Sequence, residues 1–295
     1  MASPVACREG TRLSLTVSFA VLLAALLHAS WNAMIKGGND VLLDTAAIVA
    51  GAGLVTVPFL FLVPLPAPAS WPYIGASVAT HVAYYYLMIN AYRTGELSLV
   101  YPLMRGVAPL LTGVIAIVWM NEWPGAWGWA GMLLISLGVF ALAFRPAALG
   151  GALHGHGRAV TFALANACVI ALYTIIDGSG ARLAGNAWSY IVWLFVLDAL
   201  PFTLYMLVKR GPGFLRSLAQ RSQRGLIGGG LSAGAYAISV WAMTKAPVAL
   251  VASLRETSVL FATLIGAKLL KESLTLRRWA GVAAVVAGVV ALKAA

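Results

Sequence analysis

Tyr101–Gly131 reads YPLMRGVAPLLTGVIAIVWMNEWPGAWGWAG, and Val251–Gly281, 150 residues later, reads VASLRETSVLFATLIGAKLLKESLTLRRWAG. Laid over each other, they put Arg105 on Arg255, Thr112 on Ala262, Glu122 on Glu272, Trp129 on Trp279 and Gly131 on Gly281. Just beyond, Gly138 falls on Gly288. At a slightly different offset NAMIKG (Asn32–Gly37) lies over YTIIDG (Tyr173–Gly178). So many matches at one spacing mark a duplicated chain, with a first half over residues 1–147 and a second over 148–295.

What is duplicated is a set of membrane helices. Hydrophobic residues make up 61% of the 295, charged ones 10%, and the mean hydropathy is +0.88; soluble domains carry roughly 25% charged residues. Apolar runs near the ~20 residues that cross a bilayer recur along the chain. Ten are expected: Leu13–Ile35, Leu43–Val63, Trp71–Tyr92, Ser98–Trp119, Trp127–Phe144, Val160–Ile176, Trp188–Val208, Leu226–Met243, Leu250–Leu269 and Leu276–Leu292. Each half then holds five. Five is odd, so the second half must enter the membrane from the opposite side. The expected fold is an all-α membrane protein of ten transmembrane helices arranged as a 5+5 inverted-topology repeat, a single integral membrane domain. Such a pair of halves suits alternating access to a site near the bilayer midplane.

The net charge of +11 comes from 20 basic and 9 acidic residues spread over loop ends, without the dense aromatic-interleaved patch of a nucleic-acid binder. Lipid and a small-molecule substrate are the expected partners, nucleic acid is not, and the chain is expected to act as a monomer. Trp71, Trp119, Trp123, Trp127, Trp188 and Trp279 fall at span ends, where indole rings anchor to the interface. Cys7 and Cys168 lie too far apart in sequence to suggest a structural disulfide. His154 and His156, in a glycine-rich break, lack the carboxylate or thiolate partners of a metal site. No metal, cofactor or catalytic set is expected, and the chain is not read as an enzyme.

The spans nevertheless hold polar side chains that lipid would reject. In HVAYYYLMINAY (His81–Tyr92), helical spacing lines up His81, Tyr85, Met88 and Tyr92, with Tyr84 beside them and Tyr86 pointing away. This stripe is either a satisfied interior cluster or a substrate wall. The matching stripe of the second half, Leu231, Ala235, Ile238 and Ala242, is small enough to leave room opposite the rings. The fourth span sets Tyr101, Arg105, Ala108 and Thr112 on one face, and the ninth sets Val251, Arg255, Ser258 and Ala262. An arginine inside a span costs ~2.5–3.5 kcal/mol on insertion scales. Arg105 and Arg255 therefore either receive an anionic group, as the guanidinium fork suits, or pair with Glu256 or helix-end carbonyls. His28, Trp31 and Asn32 on the first span, Tyr173 at the repeat position of Asn32, and Trp241 on the eighth complete the candidate substrate-binding set. Gly51, Gly53, Gly131, Gly138, Gly281 and Gly288 read as close helix contacts, and Glu122 and Glu272 as helix-end residues.

The fourth-span end IVWMNEW (Ile117–Trp123), its partner AKLLKES (Ala267–Ser273), the Trp-x-Gly and Trp-Ala-Gly helix starts that follow, and the 5+5 halves resemble the EamA-type drug/metabolite transporter superfamily. The resemblance implies a metabolite exporter or exchanger, walled by the first, third and fourth spans and their repeat equivalents, with the fifth and tenth packed outside. Tyr101-Pro102 is similar to the aromatic-x-Pro entry of bacterial inner-membrane aromatic amino acid exporters, which implies that substrate class. Two alternatives stand beside it: a permease for small phosphate- or phosphonate-bearing organic anions clamped by Arg105 and Arg255, and a non-transporting membrane component. The resemblance also implies cytoplasmic termini. The charges oppose this, with five basic residues on the side of the termini and thirteen on the other.

Overall fold

The structure is a computed structural model that describes residues 13–36, 40–143, 157–270 and 275–295. Among these residues every regular element is helical. The first half comprises α1 (Leu15–Lys36), α2 (Val41–Thr56), α3 (Trp71–Thr94), α4 (Leu97–Met120) and α5 (Gly125–Ala143). The second comprises α6 (Gly157–Leu183), α7 (Ala187–Arg210), the short α8 (Gly213–Gln220), α9 (Ser222–Met243), α10 (Val248–Arg255), α11 (Ser258–Leu270) and α12 (Leu276–Ala294). A 3₁₀ turn over Val57–Phe61 extends α2.

Among the described residues, eight helical segments are long and apolar enough to cross a membrane, counting α10 and α11 as one over Val248–Ile265. Their outward faces carry bare hydrocarbon: Phe19, Val118 and Val208 are exposed, which only a lipid solvent tolerates in such number. The chain is therefore a multi-pass, all-α membrane protein. Helices α3, with 24 residues, and α12, with 19, are long enough to span as well but more polar. The first carries His81 and a run of tyrosines, the second Arg277, Arg278 and Lys293. Each is packed into the bundle, α3 against α6 and α7, α12 against α5.

The ninth span is not the continuous helix that its hydropathy suggests. Four polar residues, Arg255, Glu256, Thr257 and Ser258, interrupt it, and α10 ends at the first of them. The backbone bonds here shorten to the i→i−3 pattern, Glu256 N to Ser253 O at 3.0 Å and Thr257 N to Leu254 O at 3.2 Å. The Thr257 hydroxyl also donates to Leu254 O at 2.8 Å, a side-chain competitor for the helical ladder. Broken spans are tolerated only where protein or a cavity surrounds them, and Arg255 to Ser258 are all buried.

Helix crossings are set by glycine. A methyl group on Gly138 would meet Gly281 O at 2.9 Å, and one on Gly288 would meet Gly131 O at 2.9 Å. Thus Gly131 faces Gly288 while Gly138 faces Gly281, so α5 and α12 cross antiparallel and each repeat position touches the image of the other. Gly51 likewise meets the Gly225 backbone, and Gly225 meets Ala47 O at 2.8 Å, fixing α2 against α9. The neighbours follow the same exchange. Contacts of α3 with α6 and of α4 with α6 are mirrored by α9 with α1 and by α11 with α1, while α5/α12, α2/α7 and α4/α10 map onto themselves.

Candidate functional site

Rings from three helices meet between the halves. His81 of α3 lies 4.5 Å from the Tyr173 ring of α6 and 6.1 Å from Tyr236 of α9. Tyr84 meets Tyr173 edge-on at 6.0 Å, and Tyr173 meets Tyr236 at 6.2 Å. Such edge-to-face pairs are individually worth ~0.5–1.5 kcal/mol beyond area burial. Yet His81, Tyr84 and Tyr236 remain only half-buried. Tyr86, on the opposite face of α3, is exposed at 63%.

The arginines border this cluster. Arg105 Nε approaches Glu256 Oε2 to 2.8 Å, with side chains 9% and 2% exposed. The contact is short but not aligned, so neither atom completes a hydrogen bond. Arg255 stands 5.7 Å over the Tyr236 ring, and its Nε has no hydrogen-bond partner among the described residues. The Ser258 hydroxyl, also buried, is likewise unpartnered among them. The break at Glu256 brings these groups together, since the last residue of α10 and the first of α11 turn inward side by side.

Other expected residues sit elsewhere. Tyr85 stacks on Phe202 of α7 at 4.8 Å and meets the Tyr84 ring at 5.3 Å. Asn32 donates its amide to His28 O of its own helix at 2.8 Å. Trp31 meets the His28 ring at 5.1 Å, and its Nε1 has no partner among the described residues. Tyr101 and Trp241 pack, half-buried, against the apolar core formed by α5, α10 and their neighbours. Glu272, His154 and His156 lie outside the described residues.

Three residues of the site escaped the sequence reading. The Asp177 carboxylate of α6 accepts from the Tyr190 hydroxyl at 2.9 Å and, more closely still, from that of Tyr236. Asp198 of α7 lies 3.3 Å from His81 Nδ1. Tyr236 itself corrects the expectation that α9 offers only small residues opposite the rings. At the 150-residue spacing it would correspond to Tyr86, which points outward, so that spacing does not hold through α3 and α9. A shift of one or two residues turns a helix by 100–200°. The available signal was chemical, two aspartates and a solitary tyrosine inside apolar spans, which mark function by default.

Residues 157–293 match the model of the EamA-like transporter family. The match covers most of the second half and none of the first. A crystal structure of a protein that is 18% identical superposes with a TM-score of 0.73 over 94% of this chain and 97% of that one, a likeness that shows the shared fold alone. No curated protein matches the chain. The family match and the apolar helices make this a multi-pass membrane transporter of small molecules, as the sequence resemblance implied.

At one end of the bundle a clasp joins the two halves. Asn121, in the left-handed conformation at φ 57°, ends α4 and is followed by Glu122, whose Oε1 accepts from Arg182 Nη1 at 2.6 Å. The other carboxylate oxygen accepts from Val248 N at 2.8 Å, capping α10, whose own N-cap is Pro247. Arg182 also donates to Met243 O at 2.8 Å and Ala246 O at 3.0 Å. At the opposite end, buried Asp44 of α2 receives Arg221 and Arg224, each at 3.1 Å. The anchoring tryptophans Trp119, Trp123, Trp127, Trp188 and Trp279 are exposed, whereas Trp71 packs on Trp193 at 5.2 Å.

Proposed function

We propose that this protein works by alternating access as ten spans in two inverted halves, and that it exports or exchanges amphipathic, ring-bearing metabolites, aromatic amino acids foremost, across the bacterial inner membrane. The observation that carries the reading is the cluster of His81, Tyr84, Tyr173 and Tyr236 beside Arg255. It offers ring faces and hydroxyls to an aromatic side chain and a guanidinium to a carboxylate. Arg105 already faces a carboxylate, so Arg255 is the better receiver. The antiparallel exchange of Gly131/Gly288 and Gly138/Gly281 supports the inverted relation, because a two-fold axis in the membrane plane maps each of those contacts onto the other.

The small-anion reading keeps one observation in its favour, the presence of two buried arginines. Counterflow in proteoliposomes decides between the two. Liposomes loaded with unlabelled phenylalanine should take up labelled phenylalanine, and Arg255→Gln should abolish that uptake in folded protein. Exchange of phosphoenolpyruvate without phenylalanine exchange would transfer the site to small anions, and exchange of neither would remove the transport reading.

A further inference from the structure

His81 stands where the charges between the helices fail to balance. Among the described residues, the charge-bearing groups around the ring cluster are two cations, Arg105 and Arg255, and three carboxylates, of which Asp177 and Glu256 are buried and Asp198 half-buried. Their sum, 2 − 3 = −1, becomes zero when a proton sits on the His81/Asp198 pair. A net charge held inside a bilayer is penalised, so this interior has a place for one proton. The alternative, moving the charge out to water, is open to none of the three carboxylates without breaking a contact. Glu256 is held by Arg105, Asp177 by the Tyr190 and Tyr236 hydroxyls and Asp198 by His81.

We infer that the His81/Asp198 pair is a proton-binding site and that substrate movement is coupled to movement of its proton. The inference rests on the transport reading above. Its geometry is that of an exchange point. His81 belongs to the first half and Asp198 to the second, with side chains 12% and 15% exposed, neither sealed in nor open. Each lies near the middle of a 24-residue helix, ten and eleven residues past the first residue of α3 and α7, or roughly 15 Å along each axis. Every polar neighbour of the imidazole is in place. Ser77 of α3 lies 3.4 Å from Nδ1, Asp198 of α7 is at 3.3 Å, and Tyr173 of α6 and Tyr236 of α9 cover the ring. Asp177 lies within electrostatic reach. Tyr236 links the pair to the candidate substrate site, because the same side chain holds Asp177, covers His81 and lies beneath Arg255. A substrate that moves Tyr236 disturbs both carboxylates. Separating the halves breaks the His81–Asp198 contact, leaving the proton free to depart to the side then open.

The test uses purified protein in liposomes with the membrane potential clamped and labelled phenylalanine as the probe. A gradient of two pH units should drive the label to a steady-state ratio at least tenfold away from one. Asp198→Asn, in folded protein, should give a ratio of one under the same gradient; Asp198→Glu should restore the response. Wild-type counterflow that ignores the gradient would overturn the inference and leave the transport reading standing. A gradient response surviving in Asp198→Asn would equally overturn it. Absence of counterflow for both phenylalanine and phosphoenolpyruvate would sink the transport reading itself and this inference with it. Should Asp198→Asn fail to fold, a pH-indicator dye with weakly buffered wild-type protein in detergent gives a second readout. Phenylalanine addition should move about one proton per protein; no proton movement in a sample that binds phenylalanine would refute the coupling.

Discussion

Replacing Glu256 by glutamine should unmask the role of Arg105. In the native protein the two side chains meet at 2.8 Å with 9% and 2% of their surfaces exposed. Removing the carboxylate leaves a buried guanidinium with no compensating charge, for which about 3–5 kcal/mol is the usual penalty. Arg105→Gln should cost a similar amount by stranding Glu256. The double variant Arg105→Gln/Glu256→Gln removes both charges at once, so its loss should fall well below the sum of the two single losses. The coupling in a double-mutant cycle should therefore be of order 2 kcal/mol or more. Thermal unfolding in detergent reads this as a fall of roughly 6–15 °C for each single variant and a partial return in the double. Counterflow of the folded double variant completes the measurement. If the pair is structural, transport survives in it while Arg255→Gln still abolishes transport. Single variants as stable as wild type, or a double variant whose loss equals the sum, would refute the reasoning that these charges depend on each other.

Gly138→Ala and Gly288→Ala should each destabilise the protein by about 1–3 kcal/mol, because the new methyl meets backbone of the partner helix at 2.9 Å, whereas Gly75→Ala and Gly230→Ala, which meet nothing within 4 Å, should not; detergent melting curves check the contrast. Tyr84→Ala should weaken apparent phenylalanine affinity by about 1–3 kcal/mol, roughly five- to two-hundredfold, while Tyr86→Ala, on the exposed face of α3, should leave it unchanged in the same counterflow assay. A cysteine at Gly213, at the start of α8, should react with a membrane-impermeant thiol reagent in spheroplasts if the termini are cytoplasmic, and should be protected if the side richer in basic residues is.

The helix crossings were legible in the sequence because close backbone approach admits only glycine, and the spacing Gly131/Gly138 recurs unchanged as Gly281/Gly288. The inward stripe of α3 was legible too, but not which of its rings is central. Tyr84 and Tyr85 stand about −60° and +40° from His81 around the helix axis, and the choice is made by Tyr173 on one side and Phe202 on the other. Asp177 and Asp198 acquire their meaning only from Tyr190, Tyr236 and His81, which come from other helices. The break in the ninth span was written locally in the four polar residues Arg255 to Ser258, yet a hydropathy average over a whole span conceals it.

The pairing of helices decides which contacts a rocking motion can spare. When two halves exchange roles about a two-fold axis, contacts between a helix and its own image persist, whereas contacts between unlike helices trade places with their mirrored counterparts. The α5/α12 crossing is of the first kind, and its backbone-to-backbone glycine contacts leave it no second arrangement. The clasp from Glu122, beyond α4, to Arg182 of α6 is of the second kind, since the α4/α6 pair has the α11/α1 pair as its mirrored counterpart. Two locks therefore predict opposite outcomes. A β-carbon on Gly128 lies 3.7 Å from that of Ala295, within the ≈3.5–4.5 Å that a disulfide spans, so Gly128→Cys/Ala295→Cys, in a background without Cys7 and Cys168, should oxidise and still support counterflow. Glu122→Cys/Arg182→Cys joined by a short bifunctional maleimide should bind phenylalanine from one side only and lose counterflow, with activity retained in the unlinked pair to show that losing the ion pair is not the cause. Arrest by the α5/α12 disulfide together with free exchange across the linked clasp would place the pivot elsewhere.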